Sequence, residues 1–143
     1  MPARTVSLLL GSLALFIAAG GQAHHSFESQ YDAKQPITLT GTVTKIAWMN
    51  PHVYFYIDAK NADGKVENWA LEMGPPHLLE KRGWKRNSMQ IGDVVRVNAF
   101  RARDGSHTAS ARRVALAKTG QVLGAASSYS HTITSGASAA KKN

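Results

Sequence analysis

The chain has 143 residues, no cysteine, and 17 Lys+Arg against 9 Asp+Glu, a formal net charge of +8 at pH 7. Without thiols it has no disulfide staple, no thiolate nucleophile and no soft sulfur anion for a metal, so its stability rests on packing. A chain of this length supports one domain with a modest core rather than two.

At the amino end, Arg4 supplies a positive region and Val6 to Ala19 form a run without charge. Gly20-Gly21-Gln22-Ala23 then places small residues, Gly21 and Ala23, at the two positions a signal peptidase reads. Residues 1–23 read as a signal peptide cut between Ala23 and His24, which puts the mature protein in the periplasm or outside the cell. A spanning helix needs about 20 apolar residues, and this run is shorter and contains Ser7 and Ser12, so no transmembrane segment is expected after cleavage. Export also changes what basic charge implies. Anionic surfaces, glycans and acidic proteins become accessible partners, and nucleic acid is not expected.

Residues 24–36 read as an extended amino-terminal segment that ends at Gln35-Pro36. Strand one follows from Ile37 to Trp48; Leu39, Gly41 and Val43 share one phase and Ile46 and Trp48 the other, which predicts a bulge near Thr44-Lys45. Asn50-Pro51 turns the chain into strand two, His52 to Ala59. There Val53, Phe55 and Ile57 face one side and His52, Tyr54, Tyr56 and Asp58 the other. Asp63-Gly64 is a hairpin signal leading to strand three, Val66 to Met73, with Trp69, Leu71 and Met73 on the core phase. Gly74-Pro75-Pro76 breaks the sheet, and Pro76 can open a short helix through Arg82 that Gly83 closes, with Trp84 packing its end.

Gly92-Asp93 begins strand four, in which Val95, Val97 and Ala99 share a phase, and Asp104-Gly105 turns it into strand five, Thr108 to Leu116. A last short hairpin is expected through Thr119-Gly120. Residues 37–123 thus form an all-β domain, a small OB-like five-stranded barrel with one short helix between strands three and four. Residues 124–143, mostly Ser, Ala, Gly and Thr towards the end, read as a disordered tail with too little apolar surface to fold.

A set of short motifs runs through this pattern: His24-His25-Ser26-Phe27, Gly41-x-Val43, Trp48-x-Asn50-Pro51-His52, Trp69-x-x-Glu72, Arg82-Gly83-Trp84 and Gly92-Asp93-x-Val95. Together they resemble the small bacterial exported family catalogued as domain of unknown function 6152. The resemblance spans about 100 residues and agrees with a single exported domain. It supplies no activity and no site residues, so the chemistry must come from the side chains.

Cutting after Ala23 makes His24 an amino-terminal histidine whose amine and Nδ1 can close a chelate ring on a metal. His52, placed just after the Asn50-Pro51 turn, is the candidate third ligand, and a nitrogen-rich tetragonal set of this kind suits Cu(II). His25 offers a competing mode through the amine, the first peptide nitrogen and its own imidazole. The alternative is that His24-His25 is only a polar start and His52 a turn residue bonded to backbone. Glu72, on the same face as His52, reads either as a ligand or hydrogen-bond acceptor or as a solvated strand residue. Met49 and Met73 read as core packing. His77, His107 and His131 are assigned no role.

A second, metal-free reading uses Tyr54 and Tyr56 together with the basic group Lys81, Arg82, Lys85 and Arg86. Rings beside cations suit a periplasmic protein, a glycan or an anionic surface. No nucleophile elbow, phosphate loop, dinucleotide fingerprint or pair of catalytic carboxylates appears, so the chain is read as non-enzymatic.

Overall fold

A computed structural model describes residues 27–127. The signal-peptide reading, His24, His25 and His131 lie outside the described residues, as does the tail beyond Ser127. Six strands and one short helix follow in chain order: β1 (Tyr31–Ala47), β2 (Tyr54–Lys60), β3 (Val66–Glu72), α1 (Pro76–Lys81), β4 (Val94–Ala102), β5 (Thr108–Leu116) and β6 (Val122–Gly124). Residues 27–30 form a helical turn ahead of β1.

The sheet order is β3-β2-β1-β4-β5-β6, and a parallel pairing of β3 with β5 closes the first five strands into a ring. That is the expected OB-like barrel, with the helix between β3 and β4 and the three-residue β6 added along β5. β1 can serve two neighbours because it bends. Its first part pairs with β4, its last part with β2, and the ladder to β2 shifts register between Val43 and Lys45, where the phase change in the sequence located the bulge.

The bend also needs Gly41. A Cβ there would press into the backbone carbonyl of Asp58, closer than side-chain carbons approach backbone, so this crossing of β1 and β2 accepts hydrogen alone. The β2–β3 hairpin closes on Asn61, whose Oδ1 accepts from the amides of Asp63 and Lys65, both at 3.0 Å, while Gly64 supplies the left-handed φ of 77°.

Strand alternation fills the barrel as the periodicity predicts: Val53, Phe55 and Ile57 are fully buried and share one core cluster with Leu71, Val95 and Val97. Trp84 seals the helix end, its Nε1 donating to the Gly124 carbonyl at 2.9 Å. Outside the barrel wall, a second cluster of Phe27, Tyr31, Phe100 and Ala102 packs the amino-terminal turn against β4. Phe27 stacks tilted against Tyr31 and edge-on to Phe100.

Several boundaries differ from expectation. β1 starts six residues earlier than Ile37, because Tyr31 and Pro36 through Thr42 find partners on β4 that local pattern does not reveal. Ala125, Ala126 and Ser127 are buried, so packing continues beyond Leu123 into the stretch read as tail. Backbone bonds explain it: Ala125 donates to Arg112 and its carbonyl accepts from Gly74. Met73 is buried as read, but Met49 is 60% exposed; the turn around the cis Asn50-Pro51 bond carries it outward rather than into the core. Among the described residues, no helix is long and apolar enough to cross a membrane.

Candidate functional site

The last residue of β3 organises the polar site. In the β2–β3 ladder Tyr54 stands directly opposite Glu72. Beyond that pair, Val53 continues the ladder by donating to the Gly74 carbonyl and accepting from the Met73 amide. Since side chains two apart share a face, His52 joins Tyr54 and Glu72 on one side of the hairpin.

Glu72 is only 8% exposed, so the reading of a solvated strand residue is overturned. Burying a carboxylate is costly unless its oxygens are satisfied, and here three side chains satisfy them. The phenols of Tyr31 and Tyr54 donate to Oε2 at 2.5 and 2.8 Å. His52 Nδ1 donates to Oε1 at 2.7 Å. Glu72 is thus the common acceptor of donors from β1, β2 and the β1–β2 loop.

The electrostatics follow from that arrangement. Burial, then the hydrogen bond to Glu72 and the carboxylate charge, push the Tyr31 phenol far above the ordinary tyrosine range. Burial and the same acceptor raise Tyr54 as well. Both phenols therefore stay protonated donors at neutral pH. With the Nδ1 proton committed to Glu72, a neutral His52 carries its lone pair on Nε2. Its side chain is 35% exposed, so the imidazole can be approached from solvent.

Tyr31 and Tyr54 also border a cleft of about 560 Å³ whose far wall is the β4–β5 turn, with Arg103, Asp104 and Ser106. Arg103 fastens this turn to the amino-terminal segment: its Nε donates to the Glu28 carbonyl at 2.7 Å and its backbone amide to Gln30 at 2.9 Å. The site is therefore bounded by the β1–β2 loop, the β4–β5 turn and the chain that immediately follows His24-His25.

The other expected site residues lie elsewhere. Tyr56 is covered by Lys45, whose Nζ sits 5.1 Å from the ring centroid. Lys81, Lys85 and Arg86 are exposed around the end of α1, and Arg82 is half-buried there. Among the described residues, no hydrogen bond, ion pair or ring contact joins the tyrosines to that basic group. His107 has a defined setting, stacked on Trp69 with centroids 4.9 Å apart and with Nε2 3.5 Å from Glu67.

Sequence reasoning missed Tyr31, which lay inside the segment read simply as extended. Its signal was weak but physical: a tyrosine shortly after an apolar Phe27 can bury its ring, and a buried phenol requires an acceptor. Among the described residues, no group of three His, Cys, Asp or Glu side chains converges as a metal site. At the Glu72 cluster the described residues supply the His52 imidazole, and a further nitrogen there would come from upstream.

A family model described as a family of unknown function, DUF6152, matches residues 13–111. Neither the curated proteins nor the solved structures contain a match.

Proposed function

The chain belongs to the DUF6152 family of unknown function, and from that premise we propose that it is an exported, non-enzymatic metal-binding protein whose sharpest target is Cu(II). The ligands are the amine and imidazole of a mature amino-terminal His24, with His25 as the competing mode, and Nε2 of His52. The observation that carries this reading is the 2.7 Å contact between His52 Nδ1 and Glu72. Metal-binding histidines commonly donate their other ring proton to a carboxylate, which fixes the tautomer and strengthens the donor nitrogen.

The chain path supports it too. His25 precedes Phe27 by two residues, a reach of about 7 Å, and Phe27 packs on Tyr31, which shares Glu72 with His52. The metal-free alternative, a module for a protein, glycan or anionic surface, gains no comparable support from the Tyr54–Tyr56 face, since one phenol is engaged by Glu72 and the other ring by Lys45.

The test is a Cu(II) titration followed by electron paramagnetic resonance, on protein shown by mass spectrometry to start at His24. One tight tetragonal nitrogen site is expected, lost in His24→Ala, weakened in His52→Ala and abolished by one extra residue ahead of His24. Weak binding at several sites, indifferent to these changes, would sink the metal reading.

A further inference from the structure

A second cavity, sharing no lining residue with the Glu72 cluster, opens between the Pro36–Thr38 stretch of β1, β4, β5 and β6. It is a broad groove of about 1090 Å³ into which Arg82, Arg112 and Arg113 all project, and no acidic residue lines it. Three guanidinium groups on one concave surface repel one another, and the sequence has to force them together.

The first device is a bulge. Neighbouring strand residues normally point to opposite faces, yet Arg112 and Arg113 line the same groove. In the β4–β5 ladder Asn98 pairs with Arg113 while the next residue, Ala99, pairs with Ala111, which leaves Arg112 as an extra residue. Such a bulge re-aims a side chain, here turning Arg112 beside Arg113. Its guanidinium is braced 4.7 Å from the Phe100 ring centroid.

The second element is β6, whose Gly124 lies opposite Arg113 in the β5–β6 ladder. A Cβ at Gly124 would sit 3.4 Å from a terminal nitrogen of Arg82, so Arg82 lies against β6 in van der Waals contact at the position that pairs with Arg113. Among the described residues, no carboxylate pairs with Arg82 or Arg113. On the opposite wall, Asn98 Nδ2 donates to Thr38 Oγ1 at 3.0 Å, so the threonine hydrogen remains a donor.

We propose that this groove is a binding site for a phosphate-bearing ligand, held through more than one anionic group by Arg82, Arg112 and Arg113. Guanidinium forks match phosphate oxygens two at a time, and a phosphate offers more charge and more acceptors than a carboxylate. The volume exceeds what a single phosphate fills, which favours a ligand with two such groups or one with a substantial uncharged body. The same chemistry is presented by soluble phosphorylated molecules and by phospholipid headgroups.

Two probes separate these sources: inorganic pyrophosphate by calorimetry, and vesicles of phosphatidylglycerol in phosphatidylcholine by co-sedimentation, both with the intact protein. Pyrophosphate binding identifies a soluble ligand, and binding to vesicles alone identifies a headgroup. In either case Arg113→Gln and Arg82→Gln should each weaken binding about tenfold or more, while Lys85→Gln, the same charge loss outside the groove, changes it less than about twofold. Should Arg82→Gln melt at a lower temperature, Asn98→Asp serves in its place, because it adds a negative charge at an exposed position of the groove. Failure of both probes to bind, or an equal loss in Lys85→Gln, overturns the proposal.

Discussion

Glu72 shows how much the meaning of one side chain depends on its neighbours. Period-two reasoning placed it on the face of His52 and Tyr54, and the structure agrees, but its burial depends on Tyr31, more than 40 residues away in the chain. A contact of that range leaves no local periodicity, so the sequence exposed half of the cluster and hid the residue that completes it. Removing the Tyr31 hydroxyl alone tests its weight. Tyr31→Phe should lower stability by about 1.5–3 kcal/mol in urea unfolding, as expected for a hydrogen bond to a charged acceptor. A pH dependence follows from the raised phenol. The contribution is complete below the unfolded tyrosine value of 10.0 and is lost as pH climbs from there towards the higher folded value. Wild-type urea midpoints should therefore drop between about pH 8 and about pH 11, and the drop should be smaller in Tyr31→Phe. Equal drops would mean that this phenol ionises as freely in the fold as outside it.

At the scale of elements, the two bulges make an instructive pair. The one in β1 was legible because Leu39, Gly41 and Val43 change phase to Ile46 and Trp48, and the ladder breaks between Val43 and Lys45 as that change requires. The one in β5 carries the same signature. Ala109 and Ala111 are buried on one phase and Val114 and Leu116 on the next, with the slip at Arg112. It went unread because two alanines and two adjacent arginines give a weaker amphipathic contrast than β-branched and aromatic residues. The long first half of β1 was hidden for another reason: its partner is β4, and no local pattern encodes that pairing. Gly41 makes an element-scale prediction. Gly41→Ala places a methyl group against the Asp58 carbonyl where the β1–β2 ladder begins, and backbone rather than a flexible side chain must yield there. The expected cost is about 1–3 kcal/mol by thermal or urea unfolding, with the loss concentrated in faster amide exchange along β1 and β2. An unchanged melting temperature would show that the two strands separate more easily than their register implies.

Considered as a whole, the barrel carries its two candidate sites on one shared support. Phe100, at the outer wall of β4, meets Phe27 edge-on and has the Arg112 guanidinium over its ring. Phe27 leads back to His24-His25 and, through Tyr31, to Glu72 and His52, whereas Arg112 belongs to the arginine groove. The residues that would touch each ligand are nevertheless separate sets. His52→Ala should leave pyrophosphate affinity within about twofold of wild type, and Arg113→Gln should do the same for Cu(II), because neither variant removes a contact from the other ligand. Ionic strength should divide them as well: attraction between the solvent-accessible groove arginines and a phosphate anion weakens as salt rises, whereas coordination by nitrogen lone pairs is far less sensitive. Phe100→Leu keeps an apolar group in the outer wall but removes the flat ring. If the ring positions both Phe27 and Arg112, this single change weakens Cu(II) and phosphate binding together while the barrel core, built from other residues, still unfolds cooperatively. Loss of one affinity without the other would place the support for the remaining site elsewhere, and retention of both would reduce Phe100 to packing alone.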